Sequence, residues 1–276
     1  MATPPPIFFS HANGFPAGTY RRLFEAWRAA GFAVHAVECY GHDERFPVTG
    51  NWPHLRDELL DFIARHAPGE PLFLVGHSMG GYVSLLAASR RPELVRGVVL
   101  LDSPILGGVL AQAVRLGKAT GAVARYSPGR VSMGRRQHWP DADAALAHFA
   151  AKPAFARWSP DVLRDYVASA VLPMGDAHGP GHRLAFRREV ETAIYNTVPH
   201  HIVSLLRRHP LHCPIAFVGG TQSVENRRVG LRATERLVQG RMSWIEGSHL
   251  FPFEQPDAAA AQALRWLRAF GGAVVD

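Results

Sequence analysis

One stretch of this chain concentrates the residue types that covalent catalysis needs: Gly76-His77-Ser78-Met79-Gly80-Gly81. A serine hydroxyl is a weak nucleophile. It becomes a useful one where a base takes its proton and where donors hold the negative charge its attack creates. Gly-x-Ser-x-Gly between a strand and a helix is a nucleophile elbow. The turn is so tight that flanking side chains would collide with neighbouring backbone, which accounts for the glycines. It lifts the Ser78 hydroxyl above the sheet edge in a strained conformation. The helix that follows aims its N-terminal N–H groups and the positive end of its dipole at any charge forming there. The backbone N–H of Met79 is then one oxyanion donor. Without this context the stretch would be a Gly-rich turn with an incidental serine. The apolar run 72–75 before it and the helical spacing over 82–91 after it favour the elbow.

An elbow serine needs a proton acceptor, usually His. Of the 15 histidines, His249 sits in a loop after the last strand signal, residues 242–245. Ser first and His last is also the chain order of hydrolases built on such an elbow. His77 lies in the elbow itself and packs or lines the site. His178 and His182 are spaced like metal ligands, but no clear third ligand accompanies them, so no metal site is assigned. His200 and His201 point in different directions, and His209 and His212 read as solvated.

These residues must be presented at one edge of a scaffold, and the elements around them describe one. The first hundred residues alternate strand and helix signals: strands at 7–9, 32–37, 72–75 and 98–101, helices at 20–30, 55–63 and 82–91. Continuous apolar strands alternating with amphipathic helices predict a mostly parallel sheet with helices on both faces. From Ser103 the pattern breaks, and about 105 residues follow with helical signals and no clear strands. Alternation resumes with a strand at 215–218, a helix at 232–238, a strand at 242–245 and a last helix from about Pro256 to Phe270. The layout is an α/β unit interrupted by a helical insertion.

Composition bounds the function class. The chain has 276 residues, 47% apolar, enough for two domains or one large α/β domain without staples. Two cysteines, Cys39 and Cys213, exclude a disulfide scaffold and a four-Cys zinc site. The first ten residues lack the pattern of a signal peptide, and no apolar run reaches membrane-spanning length. The expectation is a cytoplasmic protein without membrane attachment. The net charge of +7 comes from 30 basic residues, of which only Lys118 and Lys152 are Lys. The arginines lie singly or in pairs, so the charge reads as a generally basic surface and not as a nucleic-acid site.

Taken together, these motifs resemble the α/β-hydrolase family over nearly the whole chain. The segment Ser10-His11-Ala12-Asn13-Gly14-Phe15-Pro16 is similar to the family's His-Gly oxyanion loop, with Ala12 in place of the usual Gly. The resemblance implies that the N–H of Asn13 is the second oxyanion donor, and that His11 either lines the site or anchors its loop. His249, Glu254 and Pro256 match the family's His-x4-Glu-x-Pro spacing. The usual position of the acid falls here on Gln222 or Ser223, and neither can serve. Asp102, at the end of strand 98–101, and Glu225 are the two substitutes; a chain with no working acid is the third reading.

The resemblance further implies an α/β-hydrolase core domain of residues 1–102 and 214–276, with a sheet of about six strands, and a helical cap of residues 103–213. Trp139 and Trp158, with Phe149, Phe155, Tyr166 and Met174, are candidates for an apolar substrate pocket or for the cap's own core. Arg187 and Arg188 are read either as partners for a substrate carboxylate or as solvated helix arginines. The implied activity is a cofactor-free serine hydrolase, monomeric or homodimeric, acting on an ester or thioester of a small to medium, largely apolar acyl group. A carbon–carbon hydrolase of the meta-cleavage type and a non-catalytic binding protein on the same fold are the alternatives.

Overall fold

The continuous apolar runs become buried parallel strands. The computed structural model describes residues 4–175 and 180–271. The first third of the chain supplies β1 (Ile7–Ser10), β2 (Val34–Ala36), β3 (Leu72–His77) and β4 (Val95–Leu101). An insertion carries three short strands, β5 (His138–Trp139), β6 (Val171–Pro173) and β7 (His182–Leu184). Then β8 (Ile215–Gly220) and β9 (Met242–Ile245) complete the main sheet. Its order is β2-β1-β3-β4-β8-β9, with every pairing parallel. Every residue of β1, β3 and β8 is buried, because parallel strands need crossovers that lay helices on both faces.

On one face pack α1 (Arg21–Ala29), through Leu23 and Trp27, and the last helix (Pro256–Gly271), through Ala260, Ala263 and Leu267. The Trp27 indole N–H donates to the Ala260 carbonyl at 3.1 Å and joins the two ends of the chain. On the other face lie α2 (Pro53–His66), with Leu55, Leu59 and Ile63 inward, and α3 (Met79–Arg90), with Val83 and Leu86 inward. Each of the leucines, isoleucines and valines among them contributes roughly 1.5–3 kcal/mol by burial. The chain steps outward from β1 to β2, then crosses back to β3 on the other side of β1. Strand order therefore reverses between β1 and β3. The crevice beyond their carboxyl ends is where open α/β sheets place ligands.

The insertion is not purely helical. Its helices carry a three-stranded antiparallel sheet of order β5-β7-β6. These strands are two or three residues long, too short for an alternating pattern to show in sequence. His182 lies in β7, while His178 lies outside the described residues.

Candidate active site

Ser78 directly follows β3 and opens α3, with φ 53° and ψ −114°. A non-glycine residue resists such backbone, so its neighbours must impose it. Its N–H donates to the Leu101 carbonyl at 2.9 Å. The glycines of the elbow let α3 sit directly on the strands. A Cβ on Gly76 would lie 2.3 Å from the Gly80 carbonyl group, and one on Gly80 only 1.9 Å from the Ser10 carbonyl oxygen.

The structure brings Ser78, His249 and Asp102 together. His249 Nε2 lies 2.9 Å from Ser78 Oγ, and His249 Nδ1 lies 2.7 Å from Asp102 Oδ2. The carboxylate fixes the tautomer: Nδ1–H donates to Asp102, and Nε2 is left to accept from the serine hydroxyl. Burial pulls the His249 pKa down, but the Asp102 hydrogen bond and charge, together with the charge of Glu225, outweigh it and raise the pKa above 6.5.

Asp102 is fully buried at the end of β4, with φ 42°. Its Oδ1 accepts from the Gly220 N–H at 2.7 Å and from Asn226 Nδ2 at 2.8 Å. Its Oδ2 accepts from Ser223 Oγ at 2.6 Å as well as from His249. Charge-assisted bonds of this kind hold an anion in a dry site. Ser223 also caps the short helix Val224–Val229 by accepting from the Asn226 N–H. Glu225 is a weaker neighbour: its Oε2 stands 3.8 Å from His249 Nδ1, with the side chain 44% exposed. Sequence reasoning considered Ser223 only as a failed acid and missed Asn226. The available signal was a serine N-cap followed three residues later by an amide.

The base is held through its backbone and its neighbours. Glu254 accepts from the Ser248 N–H at 2.9 Å and from the Ser248 hydroxyl at 2.5 Å, which ties the loop down. His77 Nε2–H donates to the His249 carbonyl at 2.9 Å, while His77 Nδ1 accepts from the Tyr20 hydroxyl at 2.7 Å. The same hydroxyl accepts from the Ala12 N–H at 3.0 Å. His77 is thus a strut between the base loop and the loop after β1, and it does not line the cavity. His11 is a strut too: Nδ1–H donates to the Ala12 carbonyl at 2.8 Å, and Nε2 accepts from the Tyr40 N–H at 3.0 Å. Burial lowers the pKa of His11 to about 4 and of His77 to about 3, so both are neutral.

A cavity of about 170 Å³ opens over Ser78. Its walls include Trp52, Met79, Tyr82, Leu106, Ile194 and Tyr195, with Asn13, Glu225 and His249 among the polar members. Leu106, Ile194 and Tyr195 come from the insertion, which therefore covers the site. The N–H groups of Met79 and Asn13, both at this cavity, have no hydrogen-bond acceptor among the described residues.

Two pairs of pocket candidates are placed elsewhere. Trp139 and Trp158 do not line the cavity. Trp139 packs against His148 and Phe149, and Trp158 against Phe155, Tyr166 and Phe253, in tilted or edge-on pairs, all inside the insertion's own aromatic core or its seam with the sheet domain. Arg187 and Arg188 also lie away from the cavity, and Arg188 pairs with Glu189 at 3.1 Å. Trp52 and Tyr195 hold the wall positions that sequence reasoning gave to other aromatics.

A parallel sheet with a serine elbow after its third strand, a histidine loop after its last strand and a covering insertion is an α/β-hydrolase architecture. The chain belongs to the alpha/beta hydrolase family, whose model matches residues 7–263. Among similar proteins, monoglyceride lipase of Mus musculus is 37% identical over 106 residues, which is 36% of this chain and 35% of the relative. The probable esterase PIR7A of Oryza sativa subsp. indica is 38% identical over 96 residues, 34% of this chain and 36% of that protein. The chain therefore spans about a third of the length of these relatives. Of solved structures, E-2-(acetamidomethylene)succinate hydrolase superposes with a TM-score of 0.70 at 24% identity, covering 99% of this chain and 92% of that one. A thioesterase domain from the curacin biosynthetic pathway gives a TM-score of 0.70 at 19% identity over 94% and 90% of the two chains. These likenesses show the fold. No described helix is long and apolar enough to cross a membrane.

Proposed function

We propose that the protein is a serine hydrolase that cleaves an ester or thioester of a small to medium, largely apolar acyl group. The observation that carries this is the unbroken chain from Ser78 Oγ to His249 Nε2 at 2.9 Å and from His249 Nδ1 to Asp102 Oδ2 at 2.7 Å. In this reading Ser78 Oγ attacks the substrate carbonyl carbon while its proton passes to His249 Nε2. Asp102 stabilises the imidazolium and keeps its ring oriented. The N–H groups of Met79 and Asn13 hold the oxyanion, and the α3 dipole adds to them. His249 returns the proton to the leaving group, then activates a water that releases the acyl group from Ser78.

The cavity supports the acyl class. About 170 Å³ lined mostly by apolar side chains is smaller than the ~300–1,000 Å³ of sites for drug-sized ligands. Among the described residues no Lys or Arg lines it, so no cation on these walls would neutralise an acyl carboxylate. Relatives named monoglyceride lipase and esterase make an oxygen ester the first substrate to try. In this reading residues 103–213 act as the cap that closes the acyl pocket. A fluorophosphonate probe tests the nucleophile. Labelling is expected on the wild-type protein and not on Ser78→Ala, and labelling that survives the substitution would remove Ser78 from the mechanism.

A further inference from the structure

A buried ion pair in the insertion grips the loop that carries Asn13. Arg135 follows the short helix Gly129–Met133, and Glu191 lies on the helix Arg188–Asn196. Arg135 Nη1 meets Glu191 Oε2 at 2.5 Å, with the side chains only 17% and 7% exposed. The second arm, Arg135 Nη2, donates to the Tyr166 hydroxyl at 2.7 Å, and Tyr166 is fully buried. A pair this dry gains little net stability, because desolvating both charges offsets most of their attraction. Its use lies in what it fixes.

What it fixes is the segment Asn13-Gly14-Phe15. Asn13 Nδ2 donates to the Glu191 backbone carbonyl at 2.9 Å. Gly14, at φ +81°, lies flat against the pair: a Cβ there would be 2.8 Å from Glu191 Oε1 and 3.0 Å from Arg135 Nη1. Phe15 packs on Tyr166 and Trp158, with ring centroids 5.7 and 6.0 Å away. From the sheet side the same loop is held at Ala12, by the Tyr20 hydroxyl and the His11 ring, and at Phe15, by the Phe253 ring 5.2 Å away. The polar partners of the Asn13 side chain and of Gly14 thus come from the insertion, directly beside the Asn13 N–H.

We propose that Arg135 and Glu191 are positioning residues that aim the Asn13 N–H at the developing oxyanion, so that the insertion completes the oxyanion hole as well as covering the substrate. This rests on the proposed serine-hydrolase reading, with Asn13 as an oxyanion donor. An acyl ester reaches the pocket equally well with or without the pair, but the transition state loses a donor when the loop swings. Misplacement by about 1 Å costs on the order of a hundredfold in rate, and loss of one donor about 10²–10³.

The test uses Arg135→Met and Glu191→Gln in the full chain. Each keeps side-chain bulk, and the second keeps the backbone carbonyl that holds Asn13. The kcat on a short p-nitrophenyl ester is expected to fall about ten- to a hundredfold while KM moves less than about threefold. Affinity for a trifluoromethyl ketone or boronic acid, which makes the oxyanion on Ser78, should fall by the same factor as kcat. Affinity for the product acid should not fall. Arg135→Lys, which keeps the charge but loses the two-armed fork, should recover part of the loss. If both variants stay folded by circular dichroism with wild-type kcat and analogue affinity, the positioning role is wrong. If KM and product affinity move in step with kcat, the pair only shapes the pocket, and the role is again wrong. Should Arg135→Met fail to fold, Glu191→Gln decides. Loss of the parent reading would show separately, as labelling that survives Ser78→Ala.

Discussion

Replacing Asp102 by Asn tests the triad sharply, because the structure dictates which way the new amide must turn. With the amide oxygen on the Oδ1 side, the Gly220 N–H and Asn226 Nδ2 keep their acceptor at 2.7 and 2.8 Å. The NH2 then faces Ser223 Oγ, which can rotate to accept, and His249 Nδ1, which must give up its proton to accept. Turned the other way, the NH2 would face two donors and leave them unpaired in a fully buried site, about 1–3 kcal/mol each. The first orientation wins. It places the imidazole proton on Nε2, which points at Ser78 Oγ from 2.9 Å and can no longer take the serine proton. The loss in kcat is about 10⁴, or about 5.5 kcal/mol of barrier, with KM little changed. Glu225→Gln, acting at 3.8 Å from a half-exposed position, is expected to cost less than about fivefold. Steady-state hydrolysis of p-nitrophenyl acetate and the rate of fluorophosphonate labelling both read the effect. If folded Asp102→Asn kept more than about a tenth of wild-type kcat while Glu225→Gln lost more, Glu225 would be the acid and the geometric argument would fail.

Other expectations follow from the same contacts. Because His249 is raised above 6.5 by Asp102 and Glu225 against the pull of burial, kcat/KM declines on the acid side through an inflection above that value. Glu225→Gln should move the inflection down, and an unmoved inflection would dissociate Glu225 from the base. His11 and His77, held neutral with pKa values near 4 and 3, bind fewer protons folded than unfolded below 6.5, so their share of stability is lost as pH falls from there. Glu58, pushed up to about 7 by burial, has the opposite sign between 4.5 and 7. Each such histidine accounts for up to one proton, on the order of 1 kcal/mol per pH unit between its folded and unfolded values. Urea midpoints across that window should show His11→Gln flattening the slope by about the same amount. Gly80→Ala, whose Cβ would lie 1.9 Å from the Ser10 carbonyl oxygen, should not yield a folded enzyme; a soluble, active variant would show that α3 can lift off the strands. Trp158→Ala should lower stability by about 3–5 kcal/mol and leave KM within about twofold, which native-state unfolding and kinetics would separate.

The sheet was readable because buried parallel strands write themselves as unbroken apolar runs, and the elbow because its glycines have no substitutes at contacts of 1.9 and 2.3 Å. The choice of acid stayed open because a carboxylate's reach to His249 depends on where strands far apart in sequence end. Asp102 and Glu225 differ by little more than 1 Å in that reach, 2.7 against 3.8 Å. The aromatic walls were misplaced for a related reason. Trp139 and Trp158 are as apolar as Trp52 and Tyr195, and composition does not say which of them faces inward to a core and which faces a cavity. The histidines after β1 and in the elbow attracted functional readings by type, yet their ring nitrogens are spent on backbone and tyrosine partners.

The path of the chain between β4 and β8 has a consequence for exchange of parts. These strands are ladder neighbours: the Val98 N–H donates to the Pro214 carbonyl at 3.0 Å, and the Asp102 N–H to the Val218 carbonyl at 2.8 Å. A plain crossover of about a dozen residues would join them as well. The β4–β8 pairing therefore does not need the intervening segment, although a replacement would have to refill the core positions of Ile105, Phe186, Ile194 and Ile202. Any replacement would also discard Ile194 and Tyr195 together with Glu191 and Arg135. A chimera with a foreign lid would acquire new substrate preference and lose turnover in the same step, until it regained a pair that seats the loop beneath it.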